Sequence, residues 1–87
     1  MLTYIINFEI NNTFEQWSKI YDADTDKIKS FGITPIFRGV NQTDRKKVLV
    51  IMQAEDGVLD SFMDENHETI EASGHIIEST KIEIYTD

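Results

Sequence analysis

The chain has 87 residues, no cysteine, 16 Asp and Glu against 8 Lys and Arg, and a formal net charge of -8 at neutral pH. That length supports one domain with one modest core, and the missing thiols exclude disulfides, thiolate catalysis and thiolate metal sites. The acidic balance argues against nucleic acid, whose binding depends on Lys and Arg neutralising phosphates, and against anionic membrane surfaces.

Residues 2–10 alternate, with Leu2, Tyr4, Ile6, Phe8 and Ile10 on one face and Thr3, Ile5, Asn7 and Glu9 on the other. This pattern predicts a strand with one apolar face and one mixed face. Asn11-Asn12 breaks it, and Thr13-Phe14-Glu15-Gln16 reads as a capping box that starts a helix at Phe14. Phe14, Trp17, Ile20, Tyr21, Ile28 and Phe31 then form an apolar stripe. The stripe lapses at Asp24, where a kink or short break is expected. Gly32 closes the helix, and Ile33 to Val40 is the second strand, placed at a sheet edge by Pro35, which has no N–H for a ladder.

After the polar loop Asn41–Lys46 comes Lys47 to Ala54, whose run Val48-Leu49-Val50-Ile51-Met52 is apolar at both parities. Alternate residues of a strand show opposite faces, so both faces of this strand need cover. Helices cover one face, and a second copy of the chain is the expected cover for the other. Leu49 and Ile51 are assigned to that seam. Asp56 is expected to cap a second helix with Val58, Leu59, Phe62 and Met63 inward. Asn66 interrupts its stripe, so a short further helix from His67 to Ser73 is expected, closed by Gly74. His75 to Tyr85 is the last strand, with a bulge expected where Ile76 and Ile77 are adjacent.

Strand, helix, strand, strand, helix, strand with right-handed crossovers gives an α+β, ferredoxin-like βαββαβ plait spanning residues 1–87. It has a four-stranded antiparallel sheet, both helices on one face, and the first and third strands central. No apolar run approaches the ~20 residues that span a bilayer, and the first residues lack a basic signal region, so the expected address is cytoplasmic.

The run Phe31-Gly32-Ile33-Thr34-Pro35-Ile36-Phe37-Arg38-Gly39-Val40, followed by Val48 to Gly57, resembles a family of small cyanobacterial proteins of unknown function within the dimeric α+β barrel superfamily. The resemblance implies the fold and a homodimer. That superfamily includes cofactor-free monooxygenases, isomerase-like enzymes and haem enzymes, and no catalytic motif of these matches here residue by residue. No cofactor is expected.

Polar residues on strands are the informative candidates for a small-molecule site, either in the barrel or between helices and sheet. Asn7, Arg38 and Gln53 are expected to share the open sheet face as a polar patch for an anionic or carbonyl-bearing ligand, with Arg38 supplying forked donors. The competing reading is that they satisfy one another, Glu9 or Glu83 across a dimer seam. His75 could act as a general acid or base at the barrel mouth; the plainer reading makes it an exposed residue at the strand entry. Asp64, His67, Glu68 and Glu71 have the i, i+3, i+4, i+7 spacing of one helical face. The break at Asn66 undoes that alignment, so no metal site is expected. The acidic stretch from Glu55 to Glu71 reads as a solvated face, with docking of a basic protein partner as the alternative.

Overall fold

A computed structural model describes residues 1–87. The elements run β1 (Leu2–Ile10), α1 (Phe14–Ala23), α2 (Thr25–Ser30), β2 (Thr34–Val40), β3 (Lys47–Ala54), α3 (Val58–Glu65), α4 (His67–Ala72) and β4 (His75–Tyr85). The strands form one antiparallel four-stranded sheet in the order β2-β3-β1-β4. β1 and β3 are therefore central and Pro35 lies on an edge strand, which is the ferredoxin-like plait expected from the alternation. No helix is long and apolar enough to cross a membrane.

Each of the two expected helices is split in two. The Thr13 hydroxyl accepts the Gln16 N–H while the Gln16 side chain accepts the Thr13 N–H, so the capping box forms. Asp24 separates α1 from α2, and Asn66 separates α3 from α4. The second helix does not use Asp56 as its cap. Gly57 holds the N-cap position at φ 84 with no side-chain cap bond, and the chain instead turns through a Val58 N–H to Glu55 carbonyl bond of 3.1 Å. Only the left-handed conformation of Gly57 lets the backbone enter α3 this way.

The core follows from strand parity. Tyr4, Ile6, Phe8 and Ile10 of β1 and Val48, Val50, Met52 and Ala54 of β3 are buried against Trp17, Ile28, Leu59 and Phe62 of the helices. The opposite face of the sheet carries no helix. On it Ile5 pairs with Ile51, Asn7 with Leu49 and Thr3 with Gln53, and Ile5, Leu49 and Ile51 are half-exposed.

Both edge strands depart from regular pairing. On β2, Pro35 pairs with Met52 and Phe37 with Ile51, so Ile36 is an extra residue; Ile36 and Phe37 are both exposed. On β4, Lys81 pairs with Asn7 and Ile76 with Glu9, so Ile77–Thr80 bulge out opposite Phe8 alone. The irregularity is larger than the expected Ile76-Ile77 bulge. Ser79 replaces the missing ladder bond, accepting the Glu9 N–H at 2.7 Å. Beyond the bulge Ile82 and Ile84 pair with Ile6 and Tyr4 on the helix side, yet both are exposed, because the helices stop short of that end of β4.

Candidate functional site

The expected patch of Asn7, Arg38 and Gln53 does not assemble. The extra residue at Ile36 inverts the parity of the second half of β2, so Arg38 pairs with Val50 and turns to the helix side. There its Nη2 lies 2.7 Å from the Asp22 carboxylate, and its Nη1 donates to the Ser18 carbonyl at 3.4 Å. The guanidinium carbon sits 5.2 Å from the centre of the Tyr21 ring. Gln53 stays on the open face and donates from Nε2 to the Thr3 hydroxyl at 3.3 Å. Asn7 is on the same face but four residues along β1 from Thr3, about 13 Å at the rise of a strand. The two amides flank opposite ends of the face and share no site.

His75 departs further from expectation. It pairs with Ile10, which points to the helices, and is only 6% exposed. Its imidazole stacks on Phe8 with ring centres 3.8 Å apart and planes within 3°. Nε2 lies 2.7 Å from the Thr80 hydroxyl, which the β4 bulge turns back toward the strand's start. Burial lowers the His75 pKa to about 4, because an apolar setting disfavours the charged ring. At neutral pH His75 is an uncharged imidazole inside the domain.

That imidazole lines a cavity of about 90 Å³ between sheet and helices. Phe8 and Met52 contribute from the sheet, Trp17 and Tyr21 from α1, and Leu59 and Phe62 from α3. Trp17 stacks on Tyr21 at 4.9 Å and meets Phe8 at 5.5 Å, so the aromatic wall is continuous. Burial raises the Tyr21 pKa, Arg38 opposes that shift and Asp22 adds to it, so Tyr21 remains a neutral phenol at neutral pH.

Both helix breaks line the same cavity: Asp24 on one side and Asn66 on the other. Asn66 is buried and donates its side-chain amide to the Phe62 carbonyl at 2.9 Å, which also accepts the Asn66 backbone N–H at 3.0 Å. The sequence signal for these two positions was a polar residue where an apolar stripe should continue. For His75 alternation gave no signal, since Ile76 and Ile77 after it are both half-buried. No cluster of three or more metal-ligating side chains is present.

A second, wider space of about 710 Å³ lies over the open sheet face, bordered by Asn7, Phe37, Leu49, Lys81 and Glu83. Its border mixes apolar side chains with charges of both signs.

Over residues 1–87 the sequence matches the family described as a domain of unknown function, DUF3764, and the chain belongs to that family. No curated protein matches it significantly. Among solved structures it is similar to an antibiotic biosynthesis monooxygenase at 14% identity and TM-score 0.68, covering 100% of this chain and 98% of that one. It is similar to SnoaB, a cofactor-independent oxygenase from Streptomyces nogalater, at 6% identity and TM-score 0.65, covering 99% and 91%. An uncharacterised NIPSNAP domain protein from Burkholderia xenovorans matches at 12% identity and TM-score 0.63, covering 100% and 94%. These likenesses show the fold alone, a ferredoxin-like α+β plait.

Proposed function

We propose that this chain is a homodimeric small-molecule-binding protein of the cytoplasm, with its open sheet faces together and its ligand in the cavity under the helices. The observation that carries the binding reading is the cavity itself. An aromatic wall, a neutral buried imidazole and two helix breaks converge on one space, the composition of a small-molecule pocket. The homodimer is supported by the uncovered Ile5, Leu49 and Ile51 on a face that no helix reaches. In this reading Asn7 and Gln53 serve the dimer face, Arg38 clamps α1 to β2, and His75 serves the ligand.

A cofactor-free oxygenase is the second reading, favoured by the fold shared with SnoaB. His75 would then take a proton from the bound molecule, which its neutral form permits.

Native mass spectrometry of the protein purified gently from its own host tests the proposal. The expected result is a dimer that retains a small molecule. A monomer would remove the barrel, and an empty dimer would move the function to its outer surface. Oxygen consumption with the retained molecule separates oxygenase from binding protein.

A further inference from the structure

β4 is an edge strand, and its outer half is bare in both backbone and side chains. The Glu9 N–H points toward β4, where the Ser79 hydroxyl accepts it, so the odd residues of β1 turn their backbone groups to that strand. Alternation along an antiparallel ladder then gives Lys81, Glu83 and Tyr85 the bonds to β1. It leaves the N–H and C=O groups of Ile82 and Ile84 directed off the sheet. The same two residues send their side chains to the helix side, where they are 38% and 57% exposed. Such an edge is a template for an added strand.

The charge beside this edge selects which strand. Residues 55–71 carry seven acids and no Lys or Arg, and of these only Glu55 is ion-paired, with the chain's own amino group at 3.9 Å. Burial, and then the carboxylates of Asp56 and Asp60, raise the Tyr4 pKa. Both carboxylates are therefore within electrostatic reach of the residue that pairs with Ile84. Asp60 and Asp64, one turn apart on α3, are exposed. A second copy docked here would bring the same acids against these, and like charges so placed repel. The open face instead carries Glu9, Lys47, Lys81 and Glu83, two of each sign, so a second copy seated there meets no such excess. Lys and Arg suit the β4 edge doubly, because their stems lie on apolar surface while their heads reach for charge.

We propose that the outer half of β4 is a docking site for an extended basic segment of another protein. The segment adds a strand at Ile82 and Ile84 with Lys or Arg at alternate positions, stems on the two isoleucines and charges toward Asp56, Asp60 and Asp64. This surface lies outside the cavity lining and away from the open face, so its test leaves the dimer and the small-molecule site untouched. The experiment uses the full chain and a fluorescent octapeptide of alternating Lys and Thr, with binding followed by anisotropy. Saturable binding is expected, weakening about tenfold or more between about 50 and about 500 mM salt, with slowed exchange of the Ile82 and Ile84 amides in the complex. The same peptide N-methylated throughout keeps every charge but cannot complete a ladder, and should bind at least about tenfold more weakly. Ile84→Pro removes an outward N–H and no ladder bond, and should weaken the unmethylated peptide more than the methylated one. Equal binding of the two peptides to the wild type, equal binding of an alternating Glu and Thr peptide, or no saturable binding would each overturn the proposal. Weakened self-association of Ile84→Pro in analytical ultracentrifugation would also overturn it, giving the edge to a second copy. Should Ile84→Pro fail to fold, amide exchange at Ile82 and Ile84 in the wild type decides.

Discussion

Nε2 of His75 and the hydroxyl of Thr80, 2.7 Å apart, tie together the two ends of the β4 bulge. The bond holds a ring whose pKa is lowered from 6.5 to about 4 by burial. Between those two values the unfolded chain binds a proton that the folded chain does not, so this group's contribution to stability falls as pH falls through that window. Above about pH 6.5 the contribution is complete, and below about 4 it no longer changes. Urea unfolding at pH 7 and pH 5 should show the wild type losing more stability than His75→Phe. Equal losses would mean that His75 is not a buried neutral ring.

The dimer is tested at Leu49. In the single subunit Leu49 is half-exposed on the open face beside Asn7, so a polar replacement leaves the core intact. Leu49→Lys and Leu49→Asp should each weaken association at least about 100-fold in analytical ultracentrifugation. The lysine variant controls for repulsion between acidic subunits. Association unchanged in both would place the seam elsewhere.

Two glycines separate backbone strain from collision. Gly57 and Gly74 both have positive φ, 84° and 102°, but a Cβ at Gly57 meets open space while one at Gly74 would run into the Asn12 amide. Asn12 cannot yield cheaply, since its Nδ2 donates to the Ser73 carbonyl at 2.9 Å. Gly57→Ala should cost about 1 kcal/mol and Gly74→Ala about 2–4 kcal/mol in chemical denaturation. Similar costs would show that the Asn12 contact contributes nothing.

Arg38 is placed to stabilise rather than to bind. Arg38→Ala removes the Asp22 pair and the contact with Tyr21, both partly exposed, and should cost about 1 kcal/mol. Arg38→Lys should recover only part of that, because an ammonium lacks the planar fork. Loss of the retained small molecule in Arg38→Ala, with folding intact, would return Arg38 to the site.

The sheet order, both helix breaks and the division of β1 and β3 into helix side and open side were legible in the sequence. Each rests on a local period or a capping pattern, as at Thr13-Gln16 and Val48 to Met52. The polar patch was misread because parity survives only while pairing is regular. One extra residue at Ile36 sent Arg38 to the other side of the sheet, and alternation cannot reveal an insertion that depends on the partner strand. His75 was misread for a related reason. Its burial depends on Phe8 and Thr80, and Phe8 lies far away along the chain.

The interrupted helices also set how the domain fluctuates. α1, α2, α3 and α4 have 10, 6, 8 and 6 residues, all shorter than the ~12–15 residues at which an isolated helix begins to hold in water. α4 contributes no fully buried residue, so its own turns, the Asn66 junction and the partly buried Ile70 are what resist its opening. Its amides should exchange with solvent well before those of β1 and β3, in an excursion far smaller than global unfolding. Because Asn66, Thr69 and Ile70 line the cavity, each such excursion also unroofs part of it. Access from that side of the pocket is thereby set by a six-residue segment while the sheet beneath stays paired.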